Sequence, residues 1–314
     1  MPDWLIERGI GETREALVED GRIIEARILV DGTTRAGTRV TARFKSLGPP
    51  AIAEAAGEEF LLPKGARGDS EGAAIVIEVT RESIPGTEPW KRPRAIVTDE
   101  PAREAPLLAG EAVPFPSPSD PLAAAGWLDL IEDARNGIVR FPGGELRIEP
   151  TAAMTVIDVD GYLPAEELAV AGATEAARAI RRLDIGGSIG IDLPTSGNKA
   201  ARQQAAAAID AALPQPFERT AVNGFGFVQI VRPRLRASLV ELARDRAAFE
   251  GRALLRRAAF DKPGAMRLVA HPAVIKLLEA RTDWTAELAR QVGGAVELRA
   301  DASLPMSGAY AEKA

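Results

Sequence analysis

The sequence predicts an α+β multidomain protein: a run of short strands, then a strand, helix, strand unit, then a small α/β end. Three observations carry that prediction. Between Gly37 and Thr98, short segments rich in Val, Ile and Phe are punctuated by Gly and Pro, the spacing of a small β-barrel of the OB type. Two apolar runs, Met154-Thr-Val-Ile-Asp158-Val-Asp160 and Ser188-Ile-Gly-Ile-Asp192, each end in an aspartate and bracket one helical pattern between Gly161 and Ile191. Six prolines between residues 101 and 121 separate the two regions, a density that regular structure does not tolerate.

The first 30 residues read as a hairpin. Glu15-Ala-Leu-Val runs into a turn at Glu19-Asp20-Gly21 and out along residues 22–30, and Asp-Gly between apolar runs is a strong turn signal. Barrel strands are expected at residues 39–45, 60–62, 73–80 and 94–98. After the proline-rich linker, residues 121–136 read as a helix, Gly143-Gly144 as a turn and residues 145–149 as a strand. Helices follow at 164–183 and 199–213, where Gly186-Gly187 and Pro214 supply stop signals. A strand at 226–232 leads into an arginine-rich helical stretch. The end of the chain reads as a strand at 266–269, helices at 272–279 and 285–292, and a strand at 295–300. No internal repeat is present.

Composition narrows the chemistry. At 314 residues and 46% hydrophobic, the chain can bury more than one core. No apolar run approaches the ~18 to 20 residues of a membrane span, and Met1-Pro2-Asp3 opens without the apolar core of a signal peptide, so the expected location is the cytoplasm. There is no cysteine and one histidine, His271, which excludes disulfides, thiolate zinc sites and a polyhistidine cage. A serine or cysteine triad would have to run through His271, in the lead-in to a helix. Any metal must sit among oxygens, which favours magnesium, or manganese, over zinc. The net charge of −6 does not suit a nucleic-acid partner, yet from Arg232 to Arg257 there are eight arginines against three acids, a local basic stretch.

The two aspartates are the place for chemistry. Strand, helix, parallel strand is a right-handed crossover unit, which brings both C-terminal strand ends to one sheet edge, where ligands of open α/β sheets bind. Asp158 shares its strand face with Met154 and Val156, so an acid stands where the pattern asks for an apolar residue. Two carboxylates in one site repel unless a cation binds them. The plainer alternative is that both aspartates cap loops.

Thr155-Val-Ile-Asp158-Val, then Ala173-Thr-Glu-Ala-Ala-Arg-Ala-Ile-Arg-Arg-Leu-Asp-Ile-Gly-Gly187, then Ile189-Gly-Ile-Asp192, resembles the catalytic segment of the ribonuclease E/G family. The resemblance implies that Asp158 and Asp192 bind Mg²⁺ (or Mn²⁺) and support hydrolysis of single-stranded RNA, with Asp160 as a third catalytic residue. Glu59-Phe60-Leu-Leu-Pro63 and Val79-Thr-Arg-Glu82 match the family's inserted OB-type RNA-binding barrel. Four units are therefore expected: a reduced ribonuclease H-like subdomain (1–35 and 99–150), the barrel (36–98), a deoxyribonuclease I-like catalytic subdomain (151–248) and a small C-terminal domain (249–314). Expected RNA contacts are Phe60, Arg81, Trp90, Lys91, Arg92, Lys199, Arg202, Arg232 and Arg234, with aromatic rings stacking on bases and cations on phosphates.

The chain also departs from the family pattern. Asp160 stands where relatives carry asparagine, the second acid after Asp192 is absent, and Gly224 and Gln229 replace an arginine and a glutamate. The stacking aromatic expected earlier in the barrel is Ile52. The paired cysteines that join family protomers through zinc are missing, so a homodimer would form without a zinc link. The segment for a 5′-monophosphate sensor is compressed into the proline-rich linker. The expected activity is a Mg²⁺-dependent endoribonuclease; the alternative is a catalytically weakened RNA-binding protein of the same family. An unrelated metal-dependent transferase using Asp158-Val-Asp160 would need a glycine-rich nucleotide loop that the sequence lacks.

Overall fold

The computed structural model describes residues 3–65, 70–86 and 88–314; the Met1-Pro2 start lies outside the described residues. Strands β1 (Asp3–Arg8), β2 (Glu12–Glu19) and β3 (Arg22–Val30) form an antiparallel meander. The Asp20-Gly21 turn expected from sequence joins β2 to β3, with both residues at positive φ. Next come β4 (Arg39–Ser46), β5 (Ala51–Ala55), β6 (Glu58–Leu62), β7 (Ala74–Arg81) and β8 (Arg94–Thr98), which close into a barrel in the order β4-β5-β6-β8-β7. Its core holds Ala42, Phe44, Ala53, Phe60, Leu62, Ile77 and Val79. Strand β5 carries little β propensity, but its two-residue period buries Ala51, Ala53 and Ala55.

The proline-rich segment is not wholly irregular. Glu111-Ala-Val113, free of proline, forms β9 and pairs in parallel with β1. The expected helix at 121–136 is two helices, α1 (Pro121–Ala124) and α2 (Trp127–Asn136), because Gly126 adopts φ 98° between them.

Strands β10 (Ile138–Phe141), β11 (Gly144–Pro150), β12 (Thr155–Gly161), β13 (Gly187–Asp192), β14 (Glu218–Arg219) and β15 (Phe227–Arg232) form a sheet in the order β10-β11-β12-β13-β15-β14. Residues 138–150, assigned from sequence to the first unit, thus belong to this sheet: β11 is hydrogen-bonded to β12 along its whole length. Only β12 and β13 run parallel, joined by helix α3 (Ala165–Arg182). Glu166 and Glu167 in its first turn and Arg181 and Arg182 in its last complement the helix dipole. Leu168, Ala173, Ala176, Ala177 and Ile180 recur at helical spacing and are buried with Ile157, Val159, Ile189 and Ile191 of the sheet. Helix α4 (Lys199–Ala212) packs beside α3. One core runs on from here through Ala16, Ile23 and Ile28 of the first sheet and Trp127 of α2.

Helices α5 (Leu239–Leu242) and α6 (Arg246–Ala259) lead to β16 (Met266–Ala270), α7 (Pro272–Ala280), α8 (Thr282–Val292), β17 (Val296–Ala300) and β18 (Tyr310–Lys313). These strands form a sheet in the order β17-β16-β18 over a separate core of Leu254, Leu268, Val274, Leu278 and Leu288. Helix α6 is tied to the first sheet by buried ion pairs: Arg256 to Glu7 at 3.0 Å and Arg252 to Glu12 at 2.7 Å. Among the described residues no helix is long and apolar enough to cross a membrane.

Candidate active site and nucleic-acid interface

The six-stranded sheet has one face under the helices and one face open. Residues 155, 157 and 159 of β12 are buried, and the alternate positions 156, 158 and 160 point away from them. Asp158 is therefore on the open face as the two-residue period requires, and the apolar Met154 and Val156 are the residues out of pattern. Asp158 and Asp192 are direct register partners on parallel strands, which puts their backbones about 4.8 Å apart with both side chains on one face. Arg147 of β11 lies across from Asp158 on one side, and Phe227 of β15 across from Asp192 on the other. One row across the sheet thus reads Arg147, Asp158, Asp192, Phe227. Asp192 is the last residue of β13, whereas β12 continues to Asp160 and Gly161.

The electrostatics follow from that row. Burial, then the negative charges of Asp160 and Asp192, push the Asp158 carboxyl above the usual aspartate range, against a backbone hydrogen bond from Val159 and the charge of Arg147. Arg147 lies 3.8 Å from Asp160 and 2.7 Å from Glu145. Gly190, two residues back along β13, leaves room for its neighbours: a Cβ there would lie 2.6 Å from the Phe227 ring and 3.0 Å from Met154 Sδ. The floor beside the aspartates is therefore apolar.

Among the described residues no group of three or more His, Cys, Asp or Glu side chains is disposed to hold a metal ion, so the candidate site consists of two carboxylates. That donor set fits Mg²⁺, which takes one or two carboxylates and completes its shell with water and phosphate oxygens. Zinc sites built from Cys and His have no counterpart here.

The expected RNA-binding residues fall into two groups and two exceptions. Lys199 and Arg202 open α4 just after the Asp192 loop, beside a cleft of about 390 Å³; Lys199 is exposed and Arg202 donates to Ser196 O at 2.7 Å. Arg81, Trp90, Lys91 and Arg234 meet in a second cleft, of about 160 Å³, between the barrel and the start of β12, together with Arg94, Arg244 and Glu241. Along β12, the six residues from Ala152 to Asp158 separate this cleft from the aspartates by about 20 Å. Arg81 donates to Trp90 O at 2.7 Å and Arg92 O at 2.6 Å. Burial first, and then the charges of Arg94 and Arg234, lower its pKa to about 10. Trp90 is exposed at the cleft, and Arg92 pairs with Glu59 at 2.9 Å.

The exceptions are Phe60 and Arg232. Phe60 is 1% exposed in the barrel core, so the expectation that it stacks on a base is corrected: no face of the ring is open. Arg232 donates inward to Ile185 O at 3.2 Å and Ile180 O at 3.4 Å at the end of α3, which gives it a structural task in place of the expected RNA contact. The arginine-rich stretch is similarly consumed by structure. Arg252 and Arg256 are buried ion-pair partners, and Arg236 pairs with Asp184 at 3.0 Å. Arg244 is the member of that stretch left exposed at the basic cleft, and sequence patterning does not single it out.

The paired carboxylates thus stand on an open sheet face, with one cleft beside the start of α4 and a basic cleft between the barrel and the sheet. Residues 120–235 match the family model described as Ribonuclease E/G family. The matched stretch runs from the start of α1 past the end of β15 and holds Asp158, Asp160, Asp192, Lys199, Arg202, Arg232 and Arg234; the barrel and the C-terminal unit lie outside it. No curated protein matches the chain.

Proposed function

We propose that this protein is a magnesium-dependent endoribonuclease that hydrolyses single-stranded RNA. The observation that carries the reading is the register pairing of Asp158 with Asp192 on an open sheet face, inside the stretch that matches the family. Magnesium held by these carboxylates would neutralise oxygens of the scissile phosphate and present a water in line with the leaving oxygen.

The chain's own residues do the rest. Asp158 and Asp192 supply the oxygen ligands. Asp160, two residues on and on the same face, would orient the attacking water and accept its proton. Water adds to phosphorus as its proton passes to Asp160, the bond from phosphorus to the 3′ oxygen breaks, and that oxygen takes a proton from solvent water, giving a 5′-phosphate and a 3′-hydroxyl. Lys199 and Arg202 meet the strand near the Asp192 loop, while Arg81, Trp90, Lys91, Arg92 and Arg234 hold it farther along.

The test is incubation of purified protein with a labelled unstructured RNA, with and without Mg²⁺. Cleavage that requires Mg²⁺ and disappears in Asp192→Asn is the expected result; undiminished cleavage by a well-folded Asp192→Asn protein overturns the assignment. Asp160 and Gln229, which replace the asparagine and glutamate of the family pattern, favour a second reading in which RNA binding outlives catalysis. Tight binding with no cleavage under any divalent cation selects it.

A further inference from the structure

We propose that Phe225 and Tyr162 are base-stacking residues that flank the carboxylate pair and restrict this site to unpaired nucleotides. The proposal rests on the reading of the site as one that meets RNA. Both rings stand in solvent, Phe225 79% and Tyr162 84% exposed. Single exposed apolar side chains are ordinary on protein surfaces, so exposure alone means little. Placement and construction are what distinguish these two.

Placement follows from register. Asp158, Asp192 and Phe227 are level across β12, β13 and β15. Tyr162 follows Gly161, the last residue of β12, and Phe225 lies in the turn two residues before Phe227, the first residue of the antiparallel β15. Both therefore project past the same sheet edge, on either side of the strand that ends at Asp192. The strands they adjoin, β12 and β15, are two inter-strand spacings apart, about 10 Å, with β13 and Asp192 between them.

The turn beneath Phe225 is built. Asn223 Oδ1 accepts from Phe225 N at 2.9 Å and from Phe227 N at 3.0 Å. Thr195 Oγ1 donates to Phe225 O at 3.0 Å. Gly226 adopts φ +92°, and a Cβ there would lie 2.1 Å from Leu193 O, so the loop after Asp192 is packed directly against the turn. Tyr162 is anchored likewise, its N–H donating to Gly143 O at 3.1 Å. A chain that ties down the backbone on both sides of an apolar ring, yet leaves the ring in water, has preorganised a surface for a planar partner. Beside carboxylates suited to a phosphate-bound cation, that partner is a nucleobase, and a flat ring accepts any base whose face is exposed. A base inside a duplex has no such face.

The test measures binding in the absence of divalent cations, so its outcome is independent of cleavage. An unstructured oligonucleotide carrying 2-aminopurine reports stacking by loss of fluorescence, and its affinity is read by anisotropy. Phe225→Ala and Tyr162→Ala are each expected to weaken binding about tenfold and to reduce the quenching, while Phe225→Trp and Tyr162→Phe restore both. A fully duplexed oligonucleotide is expected to show no quenching. Alanine variants with wild-type affinity and quenching overturn the proposal even if the protein cleaves RNA. So does an alanine variant that leaves RNA binding intact but changes the mass in sedimentation, which would make the rings a contact with a second copy of the chain. Stacking that persists in a protein that never cleaves upholds the proposal while the activity fails.

Discussion

Asp158 faces Asp192 as its register partner across parallel strands, and its carboxyl is held above the ordinary aspartate range by burial first and by the charges of Asp160 and Asp192 next. A folded pKa above the unfolded value means that the folded protein holds this proton more tightly. The unfavourable contribution therefore appears as pH rises through the unfolded value of about 3.9 and is complete above the folded one. Asp158→Asn removes it. At pH 7 the variant is expected to unfold at the same temperature as the parent or higher, while cleavage falls by orders of magnitude. Calorimetry beside a cleavage assay checks this, and a large loss of stability would show that the carboxylate has a structural task.

The same raised pKa bears on the proposed binding of Mg²⁺. A proton must leave Asp158 before the carboxylate can serve as a ligand, so affinity for Mg²⁺ is expected to increase with pH through the folded pKa and then level off. Titration calorimetry at a series of pH values reads this directly. The dependence should flatten in Asp158→Asn.

Glu7 is fully buried between two arginines, Arg14 at 2.6 Å and Arg256 at 3.0 Å. Glu7→Ala takes one carboxylate from each guanidinium, leaving Arg14 with Glu12 at 2.7 Å and Arg256 with Asp120 at 2.6 Å, a change expected to cost about 1 to 3 kcal/mol, measurable by urea unfolding. The neighbouring Glu12 sets the acid limb. Burial alone would raise its pKa, but the charges and hydrogen bonds of Arg14 and Arg252 prevail and lower it. Its stabilisation is present above the unfolded value of about 4.3 and is lost as pH falls through the folded one. Glu12→Gln is therefore expected to flatten the loss of stability below about pH 4.

Gly226 adopts a positive φ and has a carbonyl oxygen 2.1 Å from where a Cβ would stand. Gly226→Ala is expected to cost about 1 to 3 kcal/mol and to weaken RNA binding along with stability, because the displaced turn carries Phe225. Chemical denaturation and anisotropy measured together separate this outcome from Phe225→Ala, which should spare stability.

The basic cleft between barrel and sheet makes a prediction about salt. Arg94 and Arg244 are exposed at its lining, so replacing either by alanine is expected to lower the slope of log affinity against log salt by about one unit, with little dependence on RNA sequence. Affinity measured across a salt series tests it; an unchanged slope would remove the cleft from the RNA path.

Elements with strong local signals were legible before any coordinates. The Asp20-Gly21 hairpin, the alternation of β12 and the helical stripe of α3 each depend on residues within one or two turns of each other. Elements whose reason lies elsewhere were not. Strand β9 exists because β1 offers it an edge, β5 because the barrel must close, and β18 because β16 has a free side. The same limit applies to the site. That the two aspartates share one sheet edge could be read from two strand motifs and a crossover, since parallel direction follows from that topology, whereas their direct register could not.

What the residues do with their charge was decided only by the fold. The sequence by itself determined the strand alternation, the absence of thiolate ligands, the paired acids and the run of arginines, because periodicity and composition are local properties of the chain. It could not say that Arg232 turns in to the end of α3, that Arg252 and Arg256 are spent on Glu12 and Glu7 some 240 residues away, or that Phe60 lies inside the barrel while Phe225 stands in water. Those outcomes depend on which distant groups pack against each side chain. A buried guanidinium must find a carboxylate or carbonyl, whereas an exposed one is free to meet a phosphate, and only the tertiary structure decides between the two.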